Sequence, residues 1–137
     1  FSDRFGVICA PDHPLARQQQ DPDPQQIAAA GFIDNDLCRH LGEAVRLPLA
    51  QDAAALAQNT LTLMAMVRSG EWVTVLPQRV AGLDPHGLVF RPVKGLADTR
   101  DVHLLVRQRP AAPAHILRFA ELVREEAQKL PEPARQA

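Results

Sequence analysis

Cysteine is scarce in this chain. It occurs only as Cys9 and Cys38, which are too few for a disulfide framework. Neither cysteine has a metal-binding neighbour at the usual spacing, and the 5 histidines show no ligand spacing either. The sequence therefore predicts no metal and no cofactor, and it fits a protein that folds in the reducing cytoplasm.

A strong net charge and a long apolar run are also missing. The 137 residues include 15 basic and 16 acidic side chains, which gives a formal net charge of −1. That balance offers no electrostatic basis for nucleic-acid binding by this chain itself. No apolar run is long enough to cross a membrane, and no signal peptide opens the chain. We expect one modest cytoplasmic domain without membrane contact.

Sequence motifs for catalysis are absent as well. The chain has no nucleophile elbow, no glycine-rich phosphate loop and no paired acid and base. An enzyme needs such a set of reacting and orienting groups. The sequence thus predicts no catalytic residues and a protein that is not an enzyme.

The most informative segment runs from residue 53 to residue 82. The sequence predicts a short strand over 54–58, a helix capped by Asn59, a strand over 72–76 and a second helix that starts at Pro77. The first helix ends before a glycine that suits the left-handed conformation, at position 70. Strands that alternate with helices in this way are typical of an α/β fold.

The remaining segments continue the alternation. Further strands are predicted over residues 5–10, 31–33, 88–93 and 102–107, and further helices over 24–30, 37–45 and 114–130, with 46–52 as a link. The fold class expected is therefore α/β, with a mixed sheet flanked by helices.

The helix predicted over 114–130 has a continuous apolar face. Its apolar residues recur at helical spacing and are Ile116, Phe119, Ala120, Val123, Ala127 and Leu130. Polar and charged residues occupy the opposite side, where Glu125 and Lys129 attract each other. A face of this size is expected to pack on another surface.

A polar group of residues follows the strand over 54–58. Gln58, Asn59 and Thr60 lie where a strand end leads into a helix, and the first N–H groups of a helix are unpaired at its positive end. Ligands of open α/β sheets bind beyond the carboxyl ends of the strands, so a metabolite carboxylate can bind here. The alternative is that Asn59 and Thr60 only cap the helix.

Four segments form an ordered set of motifs. They are VICAPDHPLA at 7–16, GFIDN at 31–35, NTLTLMAMVRSGEWVTVLP at 59–77 and RDVHLLVRQRP at 100–110. This set resembles the effector-binding domain of LysR-type transcriptional regulators, in which a strand precedes HPLA, a helix ends in V-x-x-G-x-G, a strand ends in LP, and an R-x-x-x-L-V-x-R strand precedes the last helix. One departure is Trp72, which either narrows the pocket floor or fills the core.

The resemblance implies a two-lobed fold like that of type II periplasmic binding proteins, with the effector in a cleft. Residues 1–11 are then a hinge crossover strand, 12–98 the second lobe, and 99–137 the return crossover strand with the C-terminal helix of the first lobe. On this reading the chain is a fragment that lacks the DNA-binding domain and the first half of the first lobe. DNA binding is expected only through that missing N-terminal domain, and a homo-oligomer is expected.

The same resemblance places two polar groups of the second lobe in the cleft. The expected ligand-binding residues are Asp34, Asn35, Gln58, Asn59, Thr60 and Pro77. Asp34 repels an acidic group and suits a ligand that carries an amine or hydroxyls. The alternative for Asp34 and Asn35 is that they cap the following helix.

Cys38 resembles the reactive cysteine of the peroxide-sensing branch of this family. Arg39 beside it favours a thiolate. The partner thiol of that branch would fall near Leu47, however, and Cys9 lies in a distant predicted strand. A redox role and a structural role are both open, and we prefer a structural, half-buried thiol that acts as a small hydrophobic side chain without a Cys9–Cys38 disulfide.

Two functions of different classes compete. The leading hypothesis is a sensor, in which a small-molecule effector, expected to carry a carboxylate, closes the cleft and shifts a bistable regulator. The alternative is the solute-binding protein of a transport system, which the absence of a signal peptide disfavours.

Overall fold

The computed structural model describes residues 1–107 and 112–130. The chain divides into two compact units. The large unit is Arg4–Thr99, and the small unit combines Phe1–Asp3 with the chain from Arg100 onward. The polypeptide therefore passes between the units twice, between Asp3 and Arg4 and between Thr99 and Arg100.

Strands and helices alternate along the chain, as the sequence predicted. In order they are β1 (Ser2–Cys9), α1 (Pro14–Arg17), α2 (Pro24–Ala29), β2 (Ile33–Asp34), a 3-10 helix (Asp36–His40), α3 (Glu43–Gln51), β3 (Ala55–Leu56), α4 (Thr60–Arg68), β4 (Thr74–Pro77), α5 (Gln78–Ala81), β5 (Val89–Arg91), β6 (Thr99–Asp101) and α6 (Ala114–Gln128). The α/β fold class is confirmed.

The main sheet of the large unit is built around β1. This strand pairs antiparallel with β4 on one side and with β5 on the other, so that Val7 lies between Val75 and Arg91. Its side chains alternate between two apolar clusters, because successive residues of a strand point to opposite faces. Val7 belongs to the cluster beneath α2 and α3, and Ile8 to the cluster beneath α4.

A parallel arrangement extends the structure beyond β4. β2 and β3 pair in parallel, and Phe32 forms a parallel bridge with Val73, just before β4. Ile33 N–H donates to the Val73 carbonyl at 2.8 Å, and Val73 N–H donates to the Gly31 carbonyl at 3.2 Å. β3, β2 and the start of β4 thus run in the same direction, and their carboxyl ends lie at one edge.

The start and the end of α4 agree with the sequence prediction. The Asn59 side chain accepts from Thr62 N–H at 3.1 Å, which satisfies one of the unpaired donors of the first turn. Leu63 and Val67 are buried beneath the helix. Gly70 follows the helix at a φ of 87°, where a side chain would be strained.

The helix predicted over 37–45 is wrong. The chain forms the 3-10 helix Asp36–His40, breaks at Leu41-Gly42, and restarts as α3 over Glu43–Gln51. The predicted link over 46–52 is therefore mostly helical. Burial of Val45 and Leu49 beneath α3 outweighs the cost of Pro48 within the helix.

The strand predicted over 102–107 is also wrong. The strand in this region, β6, ends at Asp101, and residues 102–107 form no regular element. Val102 N–H still donates to the Phe1 carbonyl at 2.8 Å, so pairing extends one residue past β6. Leu105 is 91% exposed, because no other described residue packs over its side chain.

The apolar face of α6 is largely uncovered. Ala120 is buried, whereas Ile116 and Phe119 are 41% and 61% exposed. Leu117 and Leu122 on the same helix are also exposed. The predicted periodicity is present, but most of the face lacks a partner in the described part of the chain.

Trp72 packs against the core and lies beside Gly31. It packs against the cluster beneath α4. A Cβ added to Gly31 would lie 3.6 Å from the Trp72 ring and 2.7 Å from the Glu71 carbonyl oxygen. Of the two roles considered for this residue, the contacts support core packing.

Candidate ligand-binding site

The two polar groups singled out in the sequence meet at one edge of the large unit. Ala57 N–H donates to the Asp34 carbonyl at 3.0 Å, which extends the β2–β3 pairing past the strand ends. Asp34-Asn35 and Gln58-Asn59-Thr60 therefore leave neighbouring strands side by side. This is the carboxyl end of the parallel strands, where α/β proteins bind ligands.

The N-terminus of α4 offers unused donors at this edge. Thr62 N–H is taken by the Asn59 side chain and Leu63 N–H by the Asn59 carbonyl. Among the described residues, the N–H groups of Thr60 and Leu61 have no hydrogen-bond partner. Gln58, Asn59 and Thr60 are exposed, so these donors are open to solvent at the positive end of the helix dipole.

Asn35 is the buried frame of the site. Its side chain is 6% exposed, and its amide nitrogen donates to the Thr74 hydroxyl at 2.9 Å and to the Val75 carbonyl at 3.2 Å. Its amide oxygen accepts from Leu37 N–H at 2.9 Å and caps the 3-10 helix. All of these bonds are internal, so the geometry supports helix capping, which was the alternative to ligand binding for Asn35. A direct contact between Asn35 and a ligand stays a prediction.

Thr74 completes this frame, and sequence reasoning missed it. The residue is fully buried, and its hydroxyl accepts from Asn35 and donates to the Ile33 carbonyl at 2.8 Å. It thereby joins the start of β4 to β2. The only signal in the sequence was a polar residue inside the apolar run WVTVLP.

Asp34 lies half-buried between the frame and the solvent. One carboxylate oxygen accepts from Asn35 N–H at 2.8 Å. Its negative charge is close enough to Cys38 to disfavour a thiolate there. A half-buried carboxylate at the mouth of the site accepts hydrogen bonds from hydroxyl or ammonium groups.

Pro77 lies apart from the other candidates. It is buried, caps α5 and pairs with Phe5 of β1. It lies three positions after Thr74, which is about 10 Å along an extended strand. Its role as a ligand contact stays a prediction.

Cys38 is a buried thiol. It is 4% exposed, and burial raises its pKa to about 12, while the backbone and side chain of Asn35 lower it and Asp34 raises it further. Cys9 is also buried and free, with a pKa raised to about 11 by burial and lowered by Arg91. Because peroxide reacts with thiolates, neither environment favours redox sensing.

We expect hydrogen peroxide to leave both thiols of the folded chain unlinked. With a pKa of about 12, Cys38 is almost fully protonated at pH 7. Intact-protein mass spectrometry after peroxide treatment measures the outcome, with urea-unfolded chain as the control that should oxidise. A stable loss of two hydrogens from the folded chain would show that Cys38 and Cys9 do form a disulfide.

A comparison with protein families identifies the chain. The model of the LysR substrate binding domain matches residues 1–128, nearly the whole sequence. The chain belongs to this family. It is the effector-binding domain of a LysR-type regulator, as its motifs predicted, and the family is one of transcriptional regulators rather than enzymes. The transport alternative is not supported.

Solved structures show the same fold. The regulatory domain of MetR, a LysR family regulator from N. meningitidis, is 19% identical, with a TM-score of 0.61 over 100% of this chain and 66% of that chain. A transcriptional regulator from Vibrio parahaemolyticus is 18% identical, with a TM-score of 0.61 over 94% and 65%. The effector-binding domain of QuiR in complex with shikimate is 14% identical, with a TM-score of 0.55 over 95% and 64%.

The chain thus spans about two thirds of the length of these domains. The type II periplasmic-binding-protein-like fold expected from the motifs is confirmed. A search of curated proteins finds no match. Within the described residues, no helix has the length and apolarity needed to span a membrane.

Proposed function

We propose that this domain senses a small hydroxylated carboxylate for a transcriptional regulator. The observation that carries the proposal is the pair of unpartnered N–H groups of Thr60 and Leu61, at the carboxyl end of parallel strands. A carboxylate bound there gains two charge-assisted hydrogen bonds and a favourable interaction with the dipole of α4. The exposed side chains of Gln58 and Thr60 add further polar contacts.

The neighbouring Asp34 selects for the rest of the ligand. Because it repels a second acidic group, the end of the ligand near Asp34 carries hydroxyls or an amine. Asn35 and Thr74 hold Asp34 in place from below. The ligand in the QuiR complex, shikimate, combines a carboxylate with hydroxyls on one small ring, which is the chemistry that this pair of groups fits.

The rest of the regulator follows the same proposal. DNA binding resides in a domain outside this chain, the protein acts in the cytoplasm, and the effector-binding domains form a homo-oligomer. Residues 1–11 and 99–137 are the crossover strands with the C-terminal helix, and 12–98 is the second lobe. Effector binding then biases a two-state regulator by its differential affinity for the two states.

The proposed carboxylate site is tested by removing one backbone donor. Thr60 is the first residue of α4, a position that tolerates proline, so Thr60→Pro deletes its N–H without breaking the helix. We expect the affinity for hydroxylated carboxylates, measured by calorimetry with a panel that includes shikimate, to fall roughly tenfold, because a hydrogen bond to a charged group is lost.

Two controls isolate the N–H group and the carboxylate. Thr60→Val removes the hydroxyl but keeps the N–H, so it should cost less than Thr60→Pro. The methyl ester of each panel member has no carboxylate charge and should bind weakly to all variants. Equal affinity of Thr60→Pro and the unaltered chain, or no binding by any panel member, would refute the proposal.

A further inference from the structure

Asp98 occupies an unusual place in the large unit. It lies one residue before Thr99, the point at which the chain leaves this unit. Its carbonyl accepts from the N–H of Phe5 at 3.2 Å, and Phe5 lies one residue after Arg4, the point at which the chain enters. One hydrogen bond therefore joins the two chain crossings at the base of the large unit.

The side chain of Asp98 reaches a different element. Its carboxylate accepts from Gly42 N–H at 3.1 Å. Gly42 is the N-cap of α3 and has no side chain with which to cap the helix itself. The carboxylate lies close to the Gly42 backbone, since a Cβ there would be 3.4 Å from the nearer oxygen. A negative charge at this end of a helix is favourable.

Gly42 is in turn a short distance along the chain from the candidate site. The intervening 3-10 helix Asp36–His40 begins at the Asn35 cap and carries the buried Cys38. Leu41 N–H donates to the Cys38 carbonyl at 3.1 Å and ends the 3-10 helix one residue before Gly42. Segment 36–42 is therefore held at one end by Asn35 and at the other by Asp98.

We infer that Asp98 is a positioning residue, which holds segment 36–42 against the strand ends and ties its position to the two chain crossings. Its backbone fixes the crossings and its carboxylate fixes the segment. A movement at the crossings then reaches segment 36–42, and with it the Asn35 cap at the candidate site, through a single residue. This link is mechanical and goes beyond the proposed ligand chemistry, and it does not depend on which molecule binds.

The two cysteines provide internal probes of this link. Cys38 lies within segment 36–42 and Cys9 lies on β1, and both are buried in the same apolar cluster. A thiol reagent reaches Cys38 only when the segment opens. Labelling of Cys9 in the same molecule reports general loosening of the core. The ratio of the two labelling rates separates local release from global destabilisation.

The experiment compares Asp98→Ala and Asp98→Asn with the unaltered chain of 137 residues. We expect Asp98→Ala to raise the labelling rate of Cys38 by iodoacetamide about tenfold relative to Cys9, and to speed the hydrogen exchange of both Gly42 and Phe5 amides. Asp98→Asn keeps an acceptor oxygen and should restore most of the protection. Glu71→Ala, at an exposed acidic residue of the large unit outside this segment, is the control and should change none of these rates.

Three results would overturn the inference. The first is equal acceleration of Cys9 and Cys38, which would make Asp98 a general stabiliser. The second is faster exchange at Gly42 with Phe5 unchanged, which would reduce Asp98 to a helix cap. The third is unchanged labelling and exchange in Asp98→Ala. Because no ligand is added, failure here is distinguishable from failure of the carboxylate site.

Discussion

Asn35→Ala is expected to destabilise the domain by about 3 kcal/mol, whereas Asn59→Ala should cost only about 1 kcal/mol. Both asparagines cap a helix through the side-chain oxygen. Asn35 is buried and also donates to Thr74 and Val75, so its removal leaves buried polar groups without partners. Asn59 is exposed, and water replaces its cap. Urea unfolding followed by circular dichroism measures both variants.

A second substitution separates the two halves of the Asn35 side chain. Asn35→Asp keeps an oxygen that accepts from Leu37 N–H but loses the donors to Thr74 and Val75. It also places a charge in a buried site beside Asp34. We expect it to be at least as destabilising as Asn35→Ala. Equal unfolding energies for the Asn35→Ala and Asn59→Ala variants would show that Asn35 is only a cap.

The helix starts that the sequence predicts best are those set by local chemistry. Asn59 caps α4, and α2 begins at Pro24, the first residue of the predicted helix, where the structure adds a capping box of Asp23 with Gln26. The left-handed Gly70 belongs to the same group. Each depends on residues at most a few positions apart, so a single sequence contains the whole signal.

The errors fall where distant contacts decide the structure. The helix predicted over 37–45 breaks because Leu41 is buried and Gly42 is held by Asp98, which is 56 residues away along the chain. The run over 102–107 has the composition of a buried strand, but pairing with the start of the chain ends at Val102. The composition of such a segment indicates its propensity to form a strand, but it does not identify the strand with which it would pair.

The candidate site was likewise predictable only in part. Motif order placed Asp34 and Asn35 near Gln58, Asn59 and Thr60, and the parallel pairing of β2 with β3 brings them together. The buried role of Asn35 was not predictable, because it depends on Thr74, which is 39 residues distant. A polar residue in an apolar strand indicates a hydrogen bond, but its partner is known only from the fold.

The isolated chain is expected to self-associate through the apolar face of α6. Ile116, Phe119 and Leu130 of this face are 41%, 61% and 37% exposed. Burial of one large apolar side chain is worth roughly 1.5–3 kcal/mol, so this face favours association. Analytical ultracentrifugation should show a species heavier than the 15.0 kDa monomer at micromolar concentration.

Phe119→Glu tests whether this face is the interface. Phe119 is 61% exposed, so in a dimer the substitution would remove two apolar side chains from the interface and bury two charges. We expect the dissociation constant of the dimer to rise at least roughly 100-fold. Gln128→Glu adds the same charge to an exposed polar position of α6 and should leave the assembly unchanged. A well-ordered monomer of the unaltered chain at every concentration would contradict the prediction, because the apolar face would then be stable in contact with water. Dissociation by Gln128→Glu as strongly as by Phe119→Glu would show that charge, and not the apolar face, controls the association.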